Sequence, residues 1–325
     1  MMKRGLALHR PVQSILVFRG GALGDVLLAG PALARLREAY PSARMTLVAK
    51  RGYAEVLEET LRPLALSELG SSRFSPLFLE GGALSDRLKD FVRSFDLVIS
   101  WLGPADEPFA RNLIAAGAKR LLAGRAFPED GRALHAADHL MGTLDELGLP
   151  GRGEPLEVRL PAYNAQTCDK LLADCDVKVT EPLLAVHPGS GGLKKCWPTE
   201  RFVSVARKVA ELRGMQVLWL VGPAEVERAE RFCTALPKSF VVMASVPMMM
   251  LAGVIQRARV YLGNDSGVTH LAAAVGTPTL ALFGPTPPEV WAPRGEHVAV
   301  LHKRRLDSLK EEVVLERLTA MTEGL

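Results

Sequence analysis

At 325 residues the chain is long for one hydrophobic core, and two domains are expected. Hydrophobic residues make up 48% of it, which is ordinary for a globular protein in water. The net charge of +4 is small for this length and gives no concentrated basic face, so nucleic acid is not an expected partner.

The basic spots are local, Lys3-Arg4 and His302-Lys303-Arg304-Arg305, and read as solvated surface that could also touch anionic lipid headgroups. Cys168, Cys175, Cys196 and Cys233 form no C-x-x-C pair and read as thiols of a reducing compartment. Gly5-Leu6-Ala7-Leu8 is too short for a signal sequence. No apolar stretch reaches the length of a bilayer. A cytoplasmic protein is expected, with peripheral contact on the cytoplasmic face of the inner membrane as the further option.

In chain order, Ser14–Phe18 reads as a buried strand and Arg19–Asp25 as a glycine-rich turn. A helical pattern runs from Val26 to Ala39, with a break expected at Pro31. Met45–Ala49 is the second strand, and strand–helix–strand order makes the two strands parallel neighbours. Strands are expected at Phe95–Trp101 and Lys119–Gly124, and a helix at Ala136–Leu147 ending on Gly148. Residues 60–90 carry no assignable pattern. Gly151–Pro155 is linker-like, and a short helix is expected at Asn164–Asp174.

The alternation then restarts. Strands are expected at Leu183–Val186, Gln216–Val221, Phe240–Met243, Val260–Leu262 and Thr279–Phe283. Helices are expected at Thr199–Arg213 with Thr199 as cap, Ala224–Leu236, Met248–Arg257, Val268–Val275 and Asp307–Thr322. The economical architecture is α/β, two doubly wound Rossmann-like domains facing across a cleft. The expected boundaries are residues 1–160, 161–306, and a C-terminal helix at 307–325 that packs back on the first domain.

Chemistry concentrates in four glycine-containing loops after strands. His187–Pro198 holds Ser190, Gly191, Gly192, Lys194 and Lys195 between a strand and a helix, a setting for an anion. It is not a P-loop, since Cys196 follows Lys195 where a Ser or Thr would hold magnesium. Gly263–Gly267 is a second such loop, with Asp265, a capping Ser266, Gly267 and then His270. His270 reads either as a core histidine or as a cleft residue, and its neighbours favour the cleft. Glu225, after Gly222-Pro223, reads equally as a first-turn acid or as an acceptor for ribose hydroxyls. The first loop, with Arg19, Gly20 and Gly24, lacks the G-x-G-x-x-G spacing of a dinucleotide fingerprint. Its Asp25 is either a helix cap or a carboxylate that takes a proton from a sugar hydroxyl. Asp174-Cys175-Asp176 matches D-x-D by chance, and Met248–Met250 reads as core filling. Two anion loops in one half suggest a nucleotide-diphosphate ligand.

Several motifs in order now carry a resemblance. They are Gly24-Asp25-Val26-Leu27-Leu28 with Pro31-Ala32-Leu33, His187-Pro188-Gly189-Ser190, Lys195-Cys196-Trp197-Pro198 with Arg201-Phe202, Gly263–Ala274, and Leu282–Thr286. Together they resemble glycosyltransferase family 9, the ADP-heptose:lipopolysaccharide heptosyltransferases, over most of the chain but not in residues 51–135. The resemblance implies a GT-B fold, with acceptor on the first domain and nucleotide sugar on the second. It implies Asp25 as general base, Ser190 and Lys195 at the donor phosphates, Glu225 near the ribose, and Asp265 and His270 by the sugar and diphosphate. It implies an inverting, metal-independent transferase with no cofactor beyond its ADP-linked substrate, acting on a glycolipid such as lipopolysaccharide inner core. A nucleotide-sugar epimerase and a non-catalytic nucleotide-sugar-binding protein are the two alternatives that fit the same cleft.

Overall fold

The computed structural model describes residues 12–129, 133–178, 180–222 and 236–323. The first sheet contains β1 (Ser14–Arg19), β2 (Arg44–Ala49), β3 (Leu64–Glu68), β4 (Leu97–Trp101) and β5 (Leu121–Ala123), in the order β3-β2-β1-β4-β5. The second contains β6 (Leu183–His187), β7 (Gln216–Val221), β8 (Phe240–Ala244), β9 (Val260–Asn264), β10 (Thr279–Phe283) and β11 (Val298–His302), in the order β11-β10-β9-β6-β7-β8. Every pairing is parallel. Both orders are doubly wound, and each reverses direction at its first strand, β1 beside β4 and β6 beside β9.

The central strands are buried along their whole length, as strands covered by helices on both faces must be. Their apolar runs made them readable. The strands that went unread, β3 and β11, lie at sheet edges and are partly exposed; β3 breaks its run at Ser67, whereas β11 carries an apolar run over residues 298–301. The helices Asp86–Arg93 and Pro108–Ala115 also lie outside the expected elements.

Pro31 sits where a break was expected: Leu23–Leu28 is one helix, Gly30–Ala39 the next, and Ala29 joins them. Ala136–Gly142 passes into a 3-10 turn that ends on Gly148 at φ 71°. Thr199 does not cap its helix. Pro198 holds the N-cap position and Thr199 is already inside, with no side-chain cap bond. The helix expected at Ala224–Leu236 lies almost entirely outside the described residues.

The last helix, Glu311–Ala320, does not return to the first half. It packs on Thr199–Arg213, burying Val314 and Leu318 against Val205 and Val209. Its apolar stripe could suit either half; the surface left open beside Thr199–Arg213 decides. Ala162–Asp174 packs on Met248–Gln256, so the chain joins the second half before β6 begins.

The halves meet over a broad front. One cluster of buried side chains runs from Ile15 and Leu33 through Leu172 to Leu218 and Ile255. An ion pair crosses the same front: Arg294 reaches Asp138 through both oxygens, at 2.8 and 2.6 Å. The Gly153 N–H donates to the same carboxylate at 2.7 Å, and Arg294 also donates to the Gly153 carbonyl. Arg294 first, then that amide, hold the Asp138 carboxyl at about 2, below its ordinary 3.8.

A carboxyl depressed by folding adds stability above its unfolded pKa and loses it as pH falls through the folded one. The pair should therefore weaken between about pH 4 and pH 2. Asp138→Asn should cost roughly 2 kcal/mol at neutral pH and flatten the loss of stability across that acid window. Urea unfolding of both proteins from pH 7 to pH 2 checks this.

Candidate functional site

Ligands of doubly wound sheets sit beyond the carboxyl ends of the strands, where the order reverses. The turn after β1 and the loops after β6 and β9 occupy those positions, and they face one another.

In the first turn Gly21 adopts φ +97°, and a Cβ there would lie 2.3 Å from Asp25 Oδ2. Only glycine lets the turn close on that carboxylate. Asp25 is the third residue of the helix Leu23–Leu28, and its Oδ2 accepts the Ala22 N–H at 2.7 Å. The capping role is thus real, and it leaves the side chain 21% exposed at the cleft. The same carboxylate that caps the helix is thus also part-exposed.

Arg19 does not face the cleft. It is buried beneath the turn, donating from Nε to the Asp25 carbonyl and from Nη1 to the Ala126 carbonyl, each at 3.0 Å. Its Nη2 lies 3.8 Å from Asp25 Oδ1, and its guanidinium stands 5.4 Å from the centre of the Phe127 ring. Burial draws the Arg19 pKa down to about 10, opposed by Asp25, so the group stays cationic at neutral pH. Gly20 follows it, against Leu102.

Across the cleft, Asn264 ends β9 fully buried. Its Nδ2 donates to the Pro188 carbonyl at 2.7 Å and its Oδ1 accepts the Trp197 N–H at 3.1 Å, so one amide holds both ends of the 188–197 loop. Ser190 Oγ donates to the Asp265 carbonyl at 2.6 Å. Lys195 Nζ lies 2.8 Å from Asp265 Oδ2, which also accepts Thr286 Oγ1 at 2.6 Å. Lys194 is exposed, so one lysine of the pair is engaged in this network. Ser266 caps the Gly267–Ala274 helix, accepting the Thr269 N–H. The Gly267 and Val268 amides head that helix, where N–H groups have no intrahelical acceptor.

A cavity of about 250 Å³ opens beside this network. Ser190, Gly191, Ser266 and Gly267 line one side, and Leu220, Val246, Met248 and Leu251 an apolar one. Met248 is half-buried and borders this cavity as well as packing on the core. Ser245, also at the cavity, holds φ +52°, a left-handed conformation that non-glycine residues adopt at a cost. Gly222 reaches the cavity wall, while Glu225 lies outside the described residues.

His270 is placed differently from its expected partners. It is buried, hydrogen-bonded to the Trp291 carbonyl, and borders a smaller cavity with His135 and Arg294. Burial pushes its pKa down to about 4, against the pull of Asp265. His135 is also lowered, by burial first; its Nδ1 accepts the Ala137 N–H and its Nε2–H donates to the Ala292 carbonyl. Both rings are neutral near pH 7, and each holds a carbonyl of the Trp291–Ala292 segment.

Gly24 and Gly267 bring the two sides together. A Cβ on Gly24 would lie 3.3 Å from the His270 ring, and one on Gly267 would lie 2.8 Å from Leu23 Cβ and 2.9 Å from Gly24 N. Sequence reasoning passed over Asn264 and Thr286, although both stand inside quoted motifs. An asparagine closing an apolar strand before Asp-Ser-Gly was the available signal. His135, Asp138 and Arg294 carried none, because the partners that join them across the halves lie far away in sequence. Asp174 and Asp176 fall at the end of the Ala162–Asp174 helix, which leads to the amino-terminal edge of β6, away from this site. Among the described residues no three His, Cys, Asp or Glu side chains gather to hold a metal ion.

Two doubly wound sheets with their switch-point loops opposed define a GT-B architecture. Glycosyltransferase family 9 (heptosyltransferase) matches residues 135–319. Lipopolysaccharide heptosyltransferase 1 of Pseudomonas aeruginosa is 30% identical over 301 residues, 84% of this chain and 79% of that one. A family 9 glycosyltransferase structure from Veillonella parvula superposes with a TM-score of 0.80 at 22% identity, covering 95% of this chain and 97% of that one. The structure of ADP-heptose LPS heptosyltransferase II of E. coli superposes with a TM-score of 0.75 at 18% identity, covering 95% and 98%. The chain belongs to glycosyltransferase family 9 and is a glycosyltransferase.

The Gly267 contact gives a direct test. In Gly267→Ala the new methyl meets backbone at 2.9 Å, so the helices must separate. Stability should fall by about 1–3 kcal/mol, as for other overpacked contacts. Chemical denaturation measures it, and a neutral result would show that the halves can shift freely here.

Proposed function

We propose that the protein transfers a heptose from ADP-heptose to a hydroxyl of a lipopolysaccharide inner-core acceptor, with inversion at the anomeric carbon and without a metal ion. The observation that carries this reading is the opposition of the Asp25 turn to the Ser190–Lys195–Asp265 network across the Gly24–Gly267 contact. The donor class follows from relatives named as lipopolysaccharide and ADP-heptose heptosyltransferases. On this reading residues 1–160 bind the acceptor and 161–306 the donor.

The nucleotide occupies the 250 Å³ cavity, with its base toward Val246, Met248 and Leu251. Its diphosphate lies at Ser190, Gly191, Ser266 and Gly267, and Asp265 faces the sugar. Lys195, now paired with Asp265, is close enough to share its charge with a phosphate. Glu225 is the candidate for the ribose. His270 supports the Trp291 carbonyl and the Gly24 contact and leaves the phosphates to its neighbours.

Asp25 takes the proton of the acceptor hydroxyl as that oxygen attacks the anomeric carbon from the face opposite the diphosphate. The bond from carbon to phosphate oxygen breaks, and its electron pair leaves with ADP. Fixed amides and one ammonium group meet the charge that develops, so preorganised dipoles do the work a metal does elsewhere. Arg19 keeps the Asp25 turn in place from beneath.

No helix among the described residues is long and apolar enough to cross a membrane. A glycolipid acceptor then requires that the enzyme work at a membrane surface, and the cytoplasmic face of the inner membrane is the proposed place. An epimerase reading loses its support with membership of this transferase family, and a non-catalytic binder would leave the part-exposed Asp25 carboxylate with its capping role alone.

Asp25→Asn keeps the Ala22 cap acceptor and removes the base. ADP affinity should stay within about twofold, and turnover should drop by roughly 10²-fold or more. Calorimetric titration with ADP beside a transfer assay with ADP-heptose decides it. A parallel loss of ADP binding would contradict the base assignment. Lys195→Ala should weaken ADP binding and slow transfer together.

A further inference from the structure

The cavity given above to the nucleotide is not built by the second half alone. Ala22, Leu23 and Tyr53 of the first half also line it. Tyr53 lies in the short helix Arg51–Ala54, directly after β2, and is half-buried. Its amide donates to the Lys50 carbonyl at 2.9 Å, which holds the turn. The Lys50 ammonium stands 4.3 Å from the ring centre and 3.1 Å from the phenol oxygen. The next turn, Glu55–Leu57, packs on the Met248–Gln256 helix, the element that brings Met248 and Leu251 to the cavity.

Lys50 thus holds the phenol end of the ring, and Tyr53 also borders the cavity. Facing walls of thioether, branched aliphatic side chains and a phenol ring suit a flat heteroaromatic group, which stacks on aromatic faces and packs against polarisable sulfur. Resting on the donor reading, we propose that Tyr53 is a nucleotide contact whose ring stacks on the base of the donor. The first half then supplies one wall of the donor site, and nucleotide binding fastens the two halves together.

Calorimetric titration with ADP and with UDP tests this on the full-length protein and on Tyr53→Phe, Tyr53→Leu and Tyr53→Ala. Phe keeps the stacking face, so its ADP affinity should stay within about twofold of the parent. Ala should bind ADP about tenfold more weakly, the usual consequence of losing one base–aromatic stack. Leu fills the space without a π face, should also bind more weakly, and stands in for Ala if that variant does not fold. A purine stacks over more area than a pyrimidine, so the ADP-over-UDP preference should narrow in Leu and Ala. Wild-type affinity for ADP in both would overturn the assignment. So would an equal loss for ADP and UDP, which would mean that the ring only props the halves. Failure of the unaltered protein to bind ADP would overturn the donor reading and this inference together.

Discussion

Two helix beginnings meet at a pair of glycines, with Leu23 and His270 packed beside them. Gly24 and Gly267 let the backbones at Leu23–Gly24 and Gly267 approach to within the space of one methyl group. This contact sets the distance between the turn after β1 and the loops after β6 and β9, and hence the geometry of the site. Both helices present their positive ends there, an arrangement that repels unless negative charge is close. Asp25 on one side and Asp265 on the other supply it, and a diphosphate would add more.

A second set of contacts holds the halves at that distance. The segment Trp291–Arg294 of the second half is gripped by the first through the Phe127 ring, His135 Nε2 and the Asp138 carboxylate. Burial keeps His135 and His270 neutral near pH 7, so the grip brings no uncompensated positive charge beside Arg294. Phe127 also backs the Arg19 guanidinium, which carries the Asp25 carbonyl. The grip and Asp25 are thus two contacts apart in one network.

Legibility followed burial. Strands β1, β6 and β9 are buried on both faces, so their apolar runs and the glycine loops behind them stood out in the sequence. Asp25, Ser190, Lys195 and Asp265 stood out because each lies in a glycine loop that follows such a run. The edge strand β3 was lost because Ser67 and Glu68 break its apolar run, and nothing local to β11 explains why it was missed. The last helix was assigned to the wrong half because an apolar stripe records what is buried and not what covers it. Met248 was read as core, and it is also wall, since one side chain can serve the core and a cavity beside it.

By itself the sequence determined the parallel α/β class, the two-part order, and which glycine loops follow the central strands. Local patterning suffices for these, because strand burial, glycine turns and helix starts are properties of neighbouring residues. Only the tertiary structure decided that Asp25 caps and faces the cleft at once, that Arg19 lies beneath it, and that Asp265 claims Lys195. It alone turned His270 toward Trp291 and joined Asp138 to Arg294. Those facts depend on which surfaces the two sheets bring together, and such pairings between distant parts of a chain leave no periodic trace in it.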